Sequence, residues 1–507
     1  MNKFLDGLTD ATNYTYTENM AITHKSTKSA LLDMFAMGAA MRSRSDADVI
    51  LMFRKALAEN ETYALKCLFY IRDVRGGQGE RRFFRLCMKD MAKNNADAAK
   101  RNLKYVPEFG RWDDLYVFEG TDLENDAFEF MKNQLALDVE CKTPSLLAKW
   151  LKSENTSSRE SRRLGKKTRI AFGMNHKQYR KTLAVLRERI NIVERLMSEN
   201  RWDEIEFDKI PSRAGIIYKN AFARHDLERV QSEKNVVSYA DFAKDKNTKV
   251  NATVLNPVDI ADQIFRKYNP TETERLMWDK YWSCLKDYYN GREENGIAVV
   301  DVSGSMSGQP MNAAVSMGAY IAERGKGPFA NHFITFSGNP ELVKFEGIDI
   351  YDKFNRAKNA GWAMNTNIEA TLDLLLKTAI TNKCSKEDMP TRLYVFSDME
   401  FDSCVTTGPV TTGRSIWGMS NNNYIKFSET NTLFEATKKK WAQYGYDLPN
   451  IIFWNLNARQ ENIPAIGEGF SYVSGFSMNM IECILSGKDG YDLMMEKLNS
   501  NRYSVIQ

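Results

Sequence analysis

The segment Ile297-Ala-Val-Val-Asp301-Val-Ser303-Gly304-Ser305 constrains the fold more than any other, because an apolar run passes directly into an Asp-x-Ser-x-Ser cluster of oxygen donors. A continuous apolar run bounded by Gly and Ser is the pattern of a strand buried on both faces, as in parallel sheets covered by helices. Open α/β sheets bind ligands outside the carboxyl ends of such strands. Asp301, Ser303 and Ser305 are therefore expected at a binding edge. After Asn295 strands and helices alternate, which predicts a parallel sheet with helices on its faces. The strands read as Ile297 to Val302, His332 to Phe336, Arg392 to Ser397, Asn450 to Asn455 and Phe470 to Ser474, with an edge piece at Glu341 to Phe345. Helices read as Met311 to Arg324, Asn367 to Thr378, Glu429 to Tyr444 and Met478 to Leu485. Asp402 to Phe427, dense in Thr, Gly, Ser and Asn, is expected as a long surface loop near the same edge.

Two later segments supply further oxygen donors. Trp362-Ala-Met-Asn365-Thr366-Asn367 opens a helix, and Tyr394-Val-Phe-Ser397-Asp398-Met-Glu400 ends a strand. Together the three segments offer Asp301, Ser303, Ser305, Thr366 and Asp398. This hard, oxygen-only set suits Mg²⁺ or another hard divalent cation, with waters filling its shell. No thiolate or imidazole is offered, which disfavours zinc. The competing reading is a Ser/Gly turn with no metal.

A chain of 507 residues exceeds what one hydrophobic core supports. We expect a helical domain over residues 1–290 and an α/β domain over 291–507, an α plus α/β fold class. In the first part, helices read as Lys28 to Met41, Asp48 to Glu59, Thr62 to Asp73, Glu80 to Lys93, Ala96 to Tyr105, Trp112 to Phe118, Leu123 to Leu137 and Ser145 to Lys152. Their lengths and short connections suit a HEAT-like α-solenoid, although no strict repeat period is present. Another helix reads as His176 to Asn200, with Tyr179, Leu183, Leu186, Ile190, Val193 and Leu196 forming its apolar stripe. Residues 231–295 read as a junction.

Charge separates the halves. Residues 1–290 carry 50 Lys and Arg against 42 Asp and Glu, and the remainder 20 against 24. Residues 151–200 alone hold 13 basic and 5 acidic residues, as large as the whole excess of the first half. Such a block is a footprint for a polyanion. Arg162, Arg163, Lys166, Lys167 and Arg169 fall in a polar stretch expected to be a mobile loop, and Arg180 and Lys181 lie off the helical stripe. Arg72, Arg75, Arg81 and Arg82 crowd a Gly-rich turn in which Gly76, Gly77 and Gly79 permit close backbone approach to a phosphate. Arg111 precedes Trp112. The competing reading of the turn is an internal salt network with Asp73 and Glu80, and that of the 153–169 run is an ordinary solvated loop.

The Asp-x-Ser-x-Ser, Thr and Asp segments resemble the metal-ion-dependent adhesion site of von Willebrand factor A domains, over about residues 295–487. The resemblance implies Mg²⁺ held by Ser303, Ser305 and Thr366, with Asp301 and Asp398 binding directly or through water, and an open position for a partner's acidic group. The Gly usual after the last Asp is Met399 here, followed by Glu400. In the first half, Phe69-Tyr-Ile-Arg72-Asp73-Val-Arg75-Gly76-Gly77-Gln-Gly79-Glu80-Arg81-Arg82, Gly110-Arg111-Trp112-Asp113-Asp114, Lys149-Trp150-Leu151 and Tyr179-Arg180-Lys181 resemble the domain-of-unknown-function 2828 family, over nearly the whole chain. The pairing of helical repeats with an A domain is similar, in architecture, to the TROVE module of Ro ribonucleoproteins. That likeness implies a helical ring closed by the A domain, with basic ring surfaces that bind structured or misfolded non-coding RNA.

These readings converge on a non-catalytic RNA-binding scaffold whose A domain closes the architecture or recruits a partner through the cation. The alternative is a metal-dependent protein-interaction module without RNA, serving an ATPase or a viral assembly. An enzyme is not expected, because no histidine adjoins the motifs and Glu400 is the one nearby candidate base. Seven scattered cysteines, Cys67, Cys87, Cys141, Cys284, Cys384, Cys404 and Cys483, read as reduced core residues of a cytoplasmic protein. No apolar run is long enough for a membrane span.

Overall fold

The computed structural model describes residues 8–10, 12–190, 192–231, 236–336, 340–359, 367–402 and 432–507. Helices dominate up to Ser283, and a six-stranded sheet with its helices follows, an α plus α/β arrangement. The chain divides into two compact units that interleave along the sequence instead of meeting at one boundary near residue 290. One comprises Met1–Cys67, Asn256–Pro270 and Asp287–Ser500, and the other Leu68–Leu255, Thr271–Lys286 and Asn501–Gln507.

The first unit is built on a sheet. Its strands are β3 (Gly296–Asp301), β4 (His332–Phe336), β5 (Glu341–Lys344), β6 (Arg392–Ser397), β7 (Asn450–Asn455) and β8 (Phe470–Ser474), after an N-terminal hairpin of β1 (Tyr14–Tyr16) and β2 (Ile22–His24). The large sheet runs β5-β4-β3-β6-β7-β8. Its pairs are parallel except for β4 with β5 at the edge. Every residue of β3 and β8 is buried, as strands covered on both faces must be. The helix Gln309–Arg324 lies so close on β3 that a Cβ at Gly318 would come within 2.4 Å of Val300 Cγ2. Only a glycine admits that approach.

The helices Ala30–Met37 and Asp46–Glu59, expected in the helical domain, belong to this sheet unit. The first packs on β8: the Ser474 hydroxyl donates to Phe35 O at 2.9 Å and accepts from Ala39 N at 3.2 Å. It begins at Ser29, whose hydroxyl accepts from Leu32 N at 3.2 Å, a side-chain N-cap. Pro257–Phe265, read as junction, packs on Gln309–Arg324, with Asn312 donating to Asp262 at 2.7 Å.

The second unit is helical. Its members include Arg82–Asn94, Ala96–Asn102, Glu124–Glu140, Leu147–Trp150, Arg159–Ala171, His176–Arg189, Val193–Ser198, Ser212–Arg224 and Glu272–Ser283. The stretch 159–169, expected as a mobile loop, is helical. Ser158 caps it by accepting from Ser161 N at 3.2 Å, and Leu164 and Thr168 anchor its buried side. The expected helix from His176 to Asn200 is divided into His176–Arg189 and Val193–Ser198. Of the cysteines expected in the core, Cys67 and Cys87 are buried, Cys141 is exposed and Cys284, Cys384 and Cys483 are half-buried, all as free thiols. Cys404 lies outside the described residues. Among the described residues no helix is long and apolar enough to cross a membrane.

Candidate functional site

In the sheet unit, β3 and β6 are central neighbours with Val300 opposite Phe396, which brings Asp301 beside Ser397. The chain leaves β3 toward β4 and leaves β6 toward β7 in the opposite direction. The crevice between their carboxyl ends is therefore where the winding reverses, the general ligand position of open sheets. Asp301 is fully buried. Its Oδ1 accepts from Ser303 N at 2.9 Å and its Oδ2 from the Ser397 hydroxyl at 2.6 Å. Asp398, also buried, accepts from Glu400 N at 3.2 Å and from Arg459 Nη2 at 2.9 Å, and Ser305 hydrogen-bonds to it as well. The Ser303 and Ser305 hydroxyls are 3.0 Å apart. Ser303 is buried and Ser305 exposed, so the cluster opens to solvent at Ser305.

The electrostatics are unbalanced. Burial, and then the Asp398 charge, pushes the Asp301 carboxyl up to about 7. Burial also raises Asp398, against the pull of Arg459. Among the described residues Asp398 pairs with the Arg459 guanidinium and Asp301 pairs with no cation, which leaves the cluster short of positive charge. Such an all-oxygen set is chemically able to accept a hard cation. Among the described residues no group of three or more His, Cys, Asp or Glu is placed to hold a metal, so a cation here depends on the serine hydroxyls. Thr366, the expected fifth donor, lies outside the described residues, as does most of the expected loop from Asp402 to Phe427. Asn367, next to Thr366, caps the helix Ile368–Asn382 by accepting from Ala370 N at 2.9 Å.

Sequence reasoning missed the supports of this cluster. The tip of the β1–β2 hairpin lies on the turn after β6. Thr17 donates through its hydroxyl to Phe401 O at 2.8 Å, Asn19 through its amide to Glu400 O at 2.7 Å, and Glu18 N to Glu400 Oε2 at 2.7 Å. The Glu18 carboxylate pairs with Arg459 Nη1 at 2.5 Å, forming a chain Glu18, Arg459, Asp398. Glu400 also accepts from Asn462 Nδ2 at 2.9 Å, and burial pushes its carboxyl up to about 7. Met399 sits where the resembled family has Gly and keeps a left-handed backbone, φ +67°. That costs a non-glycine residue about 1–2 kcal/mol, offset by its buried side chain. Glu18 and Glu400 are 382 residues apart, so no local spacing could have paired them.

In the helical unit the expected basic residues sort by partner. Arg72 is 1% exposed, and its Nε and Nη2 donate to Asp114 Oδ2 at 2.8 and 2.6 Å. Its charge is internal to the unit, which corrects its expected place on an RNA surface. Arg85 donates from Nε to Asp114 Oδ1 at 2.7 Å. Burial opposes them, yet Arg72 and Arg85 hold the Asp114 carboxyl below its ordinary value.

The Gly-rich turn is likewise filled from within. Arg502 Nη2 and the Tyr503 hydroxyl donate to Asp73 at 2.6 and 3.0 Å, and a Cβ at Gly76 would meet Arg502 Cδ at 2.8 Å. The close approach that glycine permits there is to the chain's own side chains, so the expected phosphate cradle is corrected to a packing corner. Arg75 donates to Glu108 O at 3.0 Å, and Arg82 N to Glu80 Oε1 at 2.9 Å.

Arg163 is paired with Glu119 and Glu160, Lys167 with Glu119 and Glu124, and Arg169 with Glu154. The Arg163 hydrogen bond leads in holding Glu119 down at about 2. Arg111 contacts Asp113 at 3.0 Å and lies 4.0 Å over the Trp150 ring. Arg162 donates to Thr156 O at 3.1 Å. Lys166, Arg180, Lys181 and Arg81 are exposed and have no ion pair among the described residues. Partial burial, then Arg111 and Arg85, push the Arg81 guanidinium down to about 10.

Known proteins echo both units. Residues 17–118 and 136–285 match the family described as Domain of unknown function (DUF2828). Residues 295–504 match the one described as Domain of unknown function (DUF7788). The resemblance expected along nearly the whole chain is thus divided between two families. Uncharacterized protein L728 of Acanthamoeba polyphaga mimivirus is 28% identical over 514 residues, covering 94% of this chain and 85% of that protein.

Proposed function

We propose that the protein is a non-catalytic, cytoplasmic RNA-binding scaffold similar in plan to the Ro ribonucleoproteins. In this reading the helical unit is a HEAT-like solenoid that holds structured or non-coding RNA. The sheet unit is a von Willebrand factor A domain whose Asp301, Ser303, Ser305, Thr366 and Asp398 hold Mg²⁺ or another hard divalent cation and present it to a partner's acidic group.

One observation carries the RNA reading: Lys166, Arg180, Lys181 and Arg81 are exposed cations without ion pairs among the described residues, whereas Arg163, Lys167 and Arg169 of the same unit are answered by carboxylates. Charge left unanswered at a surface is what a phosphate backbone recognises, with little sequence choice. Glu400, the one candidate base, is engaged by Glu18 N and Asn462, which supports a scaffold over an enzyme. The test is a salt titration of a folded RNA against the purified full chain. Binding should weaken steeply between about 50 and 200 mM salt, and no binding at low salt would end the reading.

A second reading, a metal-dependent protein-interaction module without RNA, draws on the surplus carboxylate charge and the exposed Ser305. It requires a pull-down that depends on Mg²⁺, survives nuclease and disappears in Asp301→Ala.

A further inference from the structure

The helices Leu147–Trp150, His176–Arg189 and Val193–Ser198 line an open cleft of about 650 Å³ in the helical unit, a volume within the range of small-molecule sites. Four cations line it. Lys149 is answered by Glu194 at 3.3 Å, and Arg195 by Glu199 at 2.6 Å and Glu188 at 3.3 Å. Among the described residues Arg187 is not answered by an acid. Its Nε donates to Ala148 O at 2.8 Å, Nη2 to Leu151 O at 2.9 Å and Nη1 to the Ser153 hydroxyl at 3.0 Å. Every acceptor is neutral.

These bonds close off the carbonyl end of the short helix Leu147–Trp150 and fix the plane of the guanidinium. They use three of its five N–H groups and leave its charge uncompensated. Burial pushes the Arg187 guanidinium below its ordinary value, and the leading opposing influences come from the Tyr179 and Tyr116 hydroxyls, not from a carboxylate. Lys152, the fourth cation, is 3.8 Å from Asp113. That carboxylate is already shared by Arg111 at 3.0 Å and Arg85 at 3.2 Å.

The cleft therefore combines a rigid guanidinium with a compact ammonium, hydroxyls from Ser153, Thr156 and Ser161, and an apolar wall that includes Trp150 and Ile192. A planar fork plus a point charge and neutral donors is the recognition set for a phosphate. An aromatic wall beside it suits a base.

We propose that this cleft binds a nucleoside 5′-phosphate, with the phosphate at Arg187 and Lys152 and the base against Trp150. The phosphate has two possible sources, a free nucleotide or the 5′-phosphorylated end of a single-stranded RNA. Only the second rests on the RNA-binding reading above.

The test uses the full chain. AMP and UMP are titrated calorimetrically, with adenosine and inorganic phosphate as comparators. Short single-stranded RNAs with 5′-phosphate or 5′-hydroxyl ends are followed by anisotropy. AMP should bind with a Kd below about 1 mM, and adenosine or the Lys152→Ala variant should lower affinity at least about tenfold. Arg187→Met should do the same, and Lys152→Ala, whose side chain holds no helix end, keeps the test valid if Arg187→Met unfolds. A preference of about fivefold or more for the 5′-phosphorylated RNA, competed by AMP, assigns the RNA end. Equal RNA affinities with AMP still bound assign the free nucleotide. No heat from AMP or UMP up to about 5 mM, with RNA bound regardless of its 5′ end, overturns the site while leaving the RNA reading intact. AMP binding with no RNA binding does the reverse. Undiminished AMP binding in Lys152→Ala also overturns the site.

Discussion

Arg72 and Asp301 are both ionisable groups taken out of water, one in each unit, and their surroundings answer them differently. Arg72 meets the Asp114 carboxylate at 2.6 Å in a network that Arg85 completes. Its neighbour Asp73 is closed in the same manner by Arg502 and Tyr503. Asp301 faces a second acid, Asp398, whose one cationic partner among the described residues, Arg459, is also held by Glu18. A closed network is what a structural charge requires, because a buried ion is tolerated only when paired and hydrogen-bonded. An open one leaves charge for something outside the chain. The same distinction separates Arg163 and Lys167, which are paired, from Lys166, Arg180 and Lys181, which have no ion pair among the described residues.

The comparison breaks most visibly at Asp114. Asp114→Ala strands Arg72 without a partner and should cost about 3–5 kcal/mol in urea unfolding. Arg81→Ala, removing a cation of the same unit that has no ion pair among the described residues, should stay within about 0.5 kcal/mol. Equal costs would mean that the network is not closed as described.

At the open cluster, Mg²⁺ at about one hundred times its Kd should stabilise the protein by about 2.7 kcal/mol in thermal melts. Asp301→Asn should abolish that gain while leaving stability in chelator nearly unchanged. A cation effect that persists in the variant would remove Asp301 from the donor set.

For the surface cations the readout is salt dependence. Replacing Lys166, Arg180 and Lys181 together by Ala should reduce the slope of log K for RNA against log salt by about two to three units. Replacing Arg163, Lys167 and Arg169 should leave the slope nearly as it was, although stability falls. Indistinguishable slopes would erase the distinction between paired and unpaired cations.

The smallest effect is at Glu119. Its folded carboxyl lies near 2 against an ordinary value of 4.5, so its contribution to stability is present above pH 4.5 and is lost as pH falls toward 2. Glu119→Gln should flatten that acid limb in urea midpoints taken across the window. An unchanged limb would show that Arg163 does not hold Glu119.

What could be read in advance followed range in sequence. β4, β6, β7 and β8 occupy the residues expected for them, β3 lies one residue earlier than expected at both ends, and β5 ends one residue short of Phe345, because the central strands are largely apolar runs closed by their own flanking residues. Asp301 and Asp398 were legible as a pair because a sheet that reverses its winding must bring two strand ends together. The 159–169 run was misread from its charge, since the buried Leu164 and Thr168 are too few to display a helical period. Arg72 was misassigned because a basic residue beside glycines looks alike whether an acid elsewhere meets it or not. Asp114 is 42 residues away, and Arg502 is 429 from Asp73. The supports of the oxygen cluster were hidden for the same reason: Glu18 and Arg459 acquire a role only when the hairpin is in place.

The seat of Ala30–Met37 on β8 bears on how the chain is made. Phe35 and the Ser474 that grips its carbonyl are 439 residues apart. At synthesis rates of about 5–20 residues per second, roughly 20 to 90 seconds separate them on the ribosome. Throughout that interval Ala30–Met37 lacks β8, the strand on which it packs, whereas most of the helical unit, Leu68–Leu255, emerges as one uninterrupted stretch. Both units therefore close late: the sheet unit waits for β8, and the helical unit waits for Asn501–Gln507, whose Arg502 and Tyr503 complete the network at Asp73.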